Sequence, residues 1–182
     1  MSVQNIKNYS CVFDRGRSLG VEVLWRLVSA VVFENPLVHG YALKAALLRK
    51  FGARVGEGLI LKPCVKITMP WKLIIGNHVW IGEKVWLDSL GCISIGDESV
   101  LSQGVYVCTG NHRYDKPGFD LEIKPVTLES QVWVGAKAMI GPGVTLKGGS
   151  VVGLGAVVTK STEGYGVYQG NPAQKVKMRV VT

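Results

Sequence analysis

From Val55 to Val158 apolar residues recur every six positions. Val55, Leu61 and Ile67 open the series, and a step of eight leads to Ile75, Ile81 and Leu87. Another step of eight gives Ile95, Leu101 and Val107, and after one long interruption Leu128, Val134, Ile140, Leu146, Val152 and Val158 resume the count. Two residues before each of these stands another small or aliphatic residue, from Ala53, Leu59 and Val65 at the start to Val144, Ser150 and Ala156 at the end. Residues two apart lie on the same face of a strand, so each unit is a short strand with one side inward, followed by a turn. Glycine directly follows seven of the positions, Gly56, Gly76, Gly82, Gly96, Gly135, Gly141 and Gly153, as suits a chain that turns at every repeat. The pattern predicts an all-β fold, a parallel β-helix of hexapeptide repeats. Three repeats close one triangular coil, which gives coils at 55–74, 75–94, 95–112, 128–145 and 146–163.

The flanks lack this rhythm. Residues 1–54 read as an N-terminal helical segment, 55–163 as the β-helix with an inserted loop at 113–127, and 164–182 as a short C-terminal tail. Between Leu19 and Phe33, Leu24, Leu27, Val28 and Val31 are at helical spacing. The stretch carries Glu22 and Arg26 and falls short of the roughly 20 apolar residues a bilayer span needs. Asn35 and Pro36 read as the cap and first residue of a second helix, which runs to about Phe51 and stops at Gly52. The pair has two readings that can coexist. It covers the open strand edge of the first coil, or residues 19–54 form a peripheral membrane contact, apolar on one side and basic on the other.

Charge sharpens this division. The formal net charge is +8, but residues 55–169 balance at ten Lys/Arg against ten Asp/Glu. The surplus lies in residues 1–54, with eight against three, and in Lys175, Lys177 and Arg179 near the other end. A neutral body argues against a nucleic-acid groove, which needs a basic stripe along the fold. Basic ends suit an anionic surface at one end and an anionic ligand at the other. Cys11, Cys64, Cys92 and Cys108 show no metal-site spacing and no secretory leader is recognisable, so free thiols in a reducing cytoplasm are the expectation.

The interruption carries the candidate chemistry. Val107 and Leu128 are 21 residues apart where six were due. Long excursions from a compact repeat are usually functional or disordered, and Tyr114, Phe119 and Leu121 argue against plain disorder. His112 stands where the coil ends and the loop begins, a suitable place for a general base. An ordinary surface histidine is the competing reading. His39, in the second helix, and His78, inside an ordinary coil, have no loop of their own.

Thr109-Gly110-Asn111-His112, Val132-Trp133-Val134-Gly135-Ala136 and Gly170-Asn171-Pro172-Ala173 together resemble the hexapeptide acyltransferases. The segment from Val65 to Lys72, the helical N-terminal region and the overall length are similar to the colanic-acid-type exopolysaccharide O-acetyltransferases. The resemblance implies a left-handed β-helix, where the usual crossover rule would give a right-handed one. It implies a homotrimer with sites in the clefts between protomers, acetyl-CoA as co-substrate, no metal, and a sugar hydroxyl of an exopolysaccharide or lipid-linked saccharide as acceptor. His112 matches the family's catalytic base, acting without an acyl-enzyme. The positions matching CoA contacts are Ala136, Leu154, Thr159, Lys160, Gln174 and Lys177, although Gln174 departs from the basic residue of some relatives. Asp88, Asn111 and Tyr114 are candidates for the acceptor side. Either Asp115, Asp120 or a main-chain carbonyl orients the imidazole. The resemblance places the enzyme in the cytoplasm, peripheral to the inner membrane face.

Three other readings compete. A metal-dependent lyase on this fold uses three convergent histidines, and His39, His78 and His112 show no such pairing. A non-catalytic scaffold leaves the His112 loop unexplained. An N-acetyltransferase acting on an amino sugar usually carries an added nucleotide-binding domain, for which 182 residues leave no room.

Overall fold

The computed structural model describes residues 7, 9 and 11–181. The six-residue period becomes a triangular prism whose three walls are parallel sheets. The first wall stacks Arg54–Val55, Leu73–Ile75, Ile93–Ile95, Val126–Leu128 and Thr145–Leu146. The second stacks Ile60–Leu61, Trp80–Ile81, Val100–Leu101, Trp133–Val134 and Val151–Val152. The third stacks Lys66–Ile67, Trp86–Asp88, Tyr106–Cys108, Met139–Ile140 and Val157–Val158. Every repeat position meets its counterpart one coil away: Ile75 beside Ile95 beside Leu128, and Leu87 beside Val107 beside Ile140. Apart from Val55, which is half-buried, these side chains are buried inside the prism, each contributing roughly 1.5–3 kcal/mol of burial.

Turning the chain this sharply needs left-handed backbone. The residue three before most wall positions has positive φ, and at several corners it is not glycine: Cys64, His78, Lys84, Glu98, Gln131 and Lys137. Each such residue costs about 1 kcal/mol, offset by main-chain bonds between coils such as Gly76 N–H to Ile95 O at 2.8 Å. Gly135 answers a different need. A Cβ there would sit 2.8 Å from the Leu154 nitrogen of the next coil, so glycine is required by close approach.

Two helices close the N-terminal end. Helix α1 (Leu19–Val28) runs into a wider π-helical turn (Ser29–Phe33), and α2 spans Tyr41–Lys50. Trp25, Phe33 and Leu48 join the prism's core, and the Trp25 indole N–H donates to Ile67 O at 2.9 Å. This segment thus packs against the first coil. Lys44 is wholly buried within it; its Nζ reaches Leu61 O and Lys62 O at 3.4 Å, and burial depresses its pKa.

The outer side of α1 carries Leu24, Leu27 and Val31, while Trp25 and, in the following turn, Phe33 are buried. Two local expectations fail here. Asn35 does not cap α2: its Oδ1 accepts from Leu37 N–H in a local turn, and the helix begins only at Tyr41. His39 consequently lies in the connecting loop. At the other end the chain continues the second wall. Gly166–Gln169 stacks parallel on Val151–Val152, and Gln174–Met178 folds back antiparallel along it.

Candidate active site

The chain leaves the third wall after Cys108 and regains the first at Val126, earlier at both points than a 113–127 loop. The departure is fixed by Thr109, which is fully buried. Its hydroxyl donates to Asp88 O at 2.7 Å and accepts from Gly91 N–H at 2.8 Å. Beyond it Gly110–His112 pairs antiparallel with Leu121–Ile123. His112 therefore stands on one arm of a projecting hairpin rather than on the coil itself.

Within the hairpin the imidazole is tightly placed. Its Nδ1 lies 3.0 Å from Phe119 O. A carbonyl can only accept, so Nδ1 carries the proton and Nε2 is left with its lone pair. The ring stacks on Phe119 at 4.3 Å and 5°, and Tyr9, from the N-terminal segment, lies 5.6 Å away. The His112 N–H donates to Asn111 Oδ1 at 2.8 Å. Phe119 adopts φ +50°, which turns its carbonyl back across the hairpin. Asp115 is engaged elsewhere. It takes two bonds from Arg113, which hold its carboxyl down at about 2. Of the three possible orienting groups, the main-chain carbonyl is the one in contact.

One coil below, Asp88 anchors a polar network on the outside of the third wall. Its Oδ1 accepts from Thr68 Oγ1 at 2.9 Å and its Oδ2 from Tyr106 OH at 3.1 Å. Burial, then hydrogen bonds with Cys108 and Asp88, raise the Tyr106 phenol pKa and keep it a neutral donor. Asp88, Thr68 and Trp86 line a pocket of about 390 Å³ whose opposite side is α1, with Glu22 and Arg26. Glu22 is buried; its Oε2 pairs with Arg15 at 2.7 Å, while Oε1 has no partner among the described residues. On the second wall a larger groove of about 900 Å³ runs past Trp133, Ala136 and Leu154 to Lys177 and Arg179.

A model of the hexapeptide repeat of succinyl-transferase matches residues 72–108 and 125–160, leaving out the His112 hairpin. The chain is 38% identical over 170 residues to the putative colanic acid biosynthesis acetyltransferase WcaF of Escherichia coli, covering 93% of each. The chain belongs to the hexapeptide-repeat acetyltransferases. Its fold matches a hexapeptide-repeat acetyltransferase of Vibrio cholerae solved with acetyl coenzyme A, with TM-score 0.79, 25% identity and 92% of each chain covered. The galactoside O-acetyltransferase of Escherichia coli is 28% identical over 138 residues, covering 74% of this chain and 68% of that one.

In this acetyltransferase the site residues read from sequence fall into separate groups. Ala136, Leu154 and Lys177 line the large groove, whereas Thr159, Lys160 and Gln174 lie outside its lining. Lys175, in the same tail, is paired with Glu163 at 2.6 Å. Asp88 lines the smaller pocket, Asn111 braces the His112 backbone, and Tyr114 is exposed at the hairpin's tip. Sequence reasoning missed Thr68, Tyr106 and Glu22 around Asp88, and Phe119 and Tyr9 around His112. The period-two alternation that puts Thr68 beside Asp88, and Tyr106 two residues before Cys108, on the wall's outer side was the available signal for Thr68 and Tyr106. Among the described residues, no group of three or more His, Cys, Asp or Glu could hold a metal ion.

Proposed function

We propose that this protein transfers the acetyl group of acetyl-CoA to a hydroxyl of a saccharide, with His112 as the general base. The observation that carries this reading is the His112 imidazole, held through Nδ1–H by Phe119 O, with no hydrogen bond to Nε2 among the described residues. Nε2 takes the proton of the acceptor hydroxyl as its oxygen attacks the thioester carbonyl. The tetrahedral oxyanion, met by a backbone N–H of a neighbouring coil, collapses and expels the CoA thiolate. The imidazolium returns its proton to that sulfur, and no acyl-enzyme forms. A base so placed contributes roughly 10²–10⁴ in rate.

The acceptor lies in the pocket between α1 and the third wall, where Asp88, oriented by Thr68 and Tyr106, accepts from a sugar hydroxyl and Trp86 offers an aromatic face. Asn111 and Tyr114, on the His112 hairpin, complete the acceptor side in this reading. The larger groove takes acetyl-CoA, with Ala136 and Leu154 along the pantetheine and Lys177, aided by Arg179, toward the phosphates; Thr159, Lys160 and Gln174 lie further along the nucleotide's path. Groove and hairpin belong to different corners of one prism. That separation supports a homotrimer in which one protomer's groove faces a neighbour's His112, and half-exposed Trp80 and Trp133 supply contact surface. The enzyme works in the cytoplasm. The test is His112→Ala, with thiol release measured against a panel of sugars and polysaccharide repeat units. Transfer falls at least about 10²-fold while CoA binding and assembly mass are kept; activity within about tenfold of wild type overturns the assignment.

A further inference from the structure

Helix α1 is apolar on two opposite sides. Its inner side packs Trp25 into the core, and Leu19, Val23, Leu24, Leu27 and Val31 on the outer side are between 53% and 66% exposed. Scattered exposed leucines are ordinary, but contiguous ones mark a contact surface. No charged residue interrupts this stripe, and Arg17, Arg26 and Lys50 flank it. Among the described residues these three side chains make no hydrogen bond or ion pair. The acid nearest in sequence, Glu22, is turned inward to Arg15. No described helix is long and apolar enough to cross a membrane.

We propose that the outer face of α1 docks onto an anionic lipid bilayer. An apolar stripe bordered by cations is the arrangement that sinks a helix into the interface of charged lipids. The charge argues for lipid over a second copy of this chain, whose repeat body is neutral overall and whose two ends are basic, so that no face of it is a match for these cations. The inner side of the same helix lines the pocket holding Asp88, so docking holds that pocket against the bilayer surface. The acceptor class that follows is a saccharide anchored to lipid; this consequence rests on the sugar-transfer reading, whereas docking itself does not.

Flotation with vesicles of equal parts phosphatidylcholine and phosphatidylglycerol tests it, beside vesicles of phosphatidylcholine alone. The wild type floats with the anionic vesicles. Leu27→Glu with Val31→Glu, both at exposed positions, lowers binding at least about tenfold, and Arg17→Gln with Lys50→Gln lowers it about fivefold for each charge removed. Circular dichroism and acetyl transfer to a soluble sugar stay at the wild-type level in these variants, so a failure of docking is distinct from a failure of the acetyl-transfer reading. Equal flotation of the wild type and the Leu27/Val31 variant overturns the proposal. So does absence of flotation with anionic vesicles, or a fall in assembly mass in the variant, which would make the face a contact between copies.

Discussion

Replacing Phe119 with glycine separates what its backbone does for His112 from what its ring does. Phe119 sits at φ +50°, so glycine removes about 1 kcal/mol of left-handed strain. It also removes a parallel ring stack at 4.3 Å, worth about 0.5–1.5 kcal/mol. The half-buried ring gives up its apolar burial as well, so the hairpin is loosened by about 1–2 kcal/mol while the prism beneath it is untouched. The carbonyl that accepts from Nδ1 remains, but the imidazole loses the platform fixing its tilt. Misplacement of a reacting group by about 1 Å costs on the order of 10²-fold, so kcat falls between about tenfold and a hundredfold with unchanged CoA binding. Thiol release at saturating acetyl-CoA and acceptor measures this. The decisive control is the same change in a His112→Ala background, where a residue acting through the imidazole has nothing left to lose. Wild-type kcat in Phe119→Gly, or an equal further loss without His112, refutes the reasoning.

Two further outcomes concern the scaffold. Lys44→Met leaves stability within about 1 kcal/mol of wild type or raises it, because a buried ammonium with two bonds of 3.4 Å recovers little of its hydration. Burial lowers its folded pKa from 10.5, so the penalty acts below that folded value and fades as pH rises; any advantage of the variant at neutral pH shrinks in alkaline melts, and a loss above about 2 kcal/mol contradicts this account. Gly135→Ala brings a Cβ within 2.8 Å of the Leu154 nitrogen, in backbone that cannot step aside. It costs about 1–3 kcal/mol and weakens acetyl-CoA binding measured by calorimetry, because Gly135 and Leu154 both line the groove; unchanged binding would place the ligand elsewhere.

The walls were legible from the sequence because a period of six fixes both which residues point inward and which coil they meet. Ile81, Leu101 and Val134 fall in one column, and a slip of one residue at Leu101 would turn its strand's apolar side outward. Helix α1 was ambiguous for the opposite reason. Leu24, Leu27 and Val31 satisfy helical spacing as well as Trp25 and Phe33 do, and only the open first coil decides which side it covers. His112 stood out through the break in the rhythm, but its support did not. The group that orients it is a main-chain carbonyl, which no side chain advertises, and Tyr9 reaches it from about a hundred residues away. The pocket at Asp88 depends on Glu22, whose solitary buried oxygen is invisible until α1 is placed.

The pairing of Gly110–His112 with Leu121–Ile123 has a consequence for how such an enzyme changes its substrate. Wall strands pair with partners a full coil away, so a residue inserted in a wall shifts every later column out of register. The hairpin instead closes on itself, His112 opposite Leu121, and its tip from Arg113 to Asp120 bears on no coil's alignment. Doubling such a loop costs only about 0.6 kcal/mol of closure entropy. The tip is thus a detachable part, free to be rebuilt around a new acceptor while the prism and its groove stay as they are.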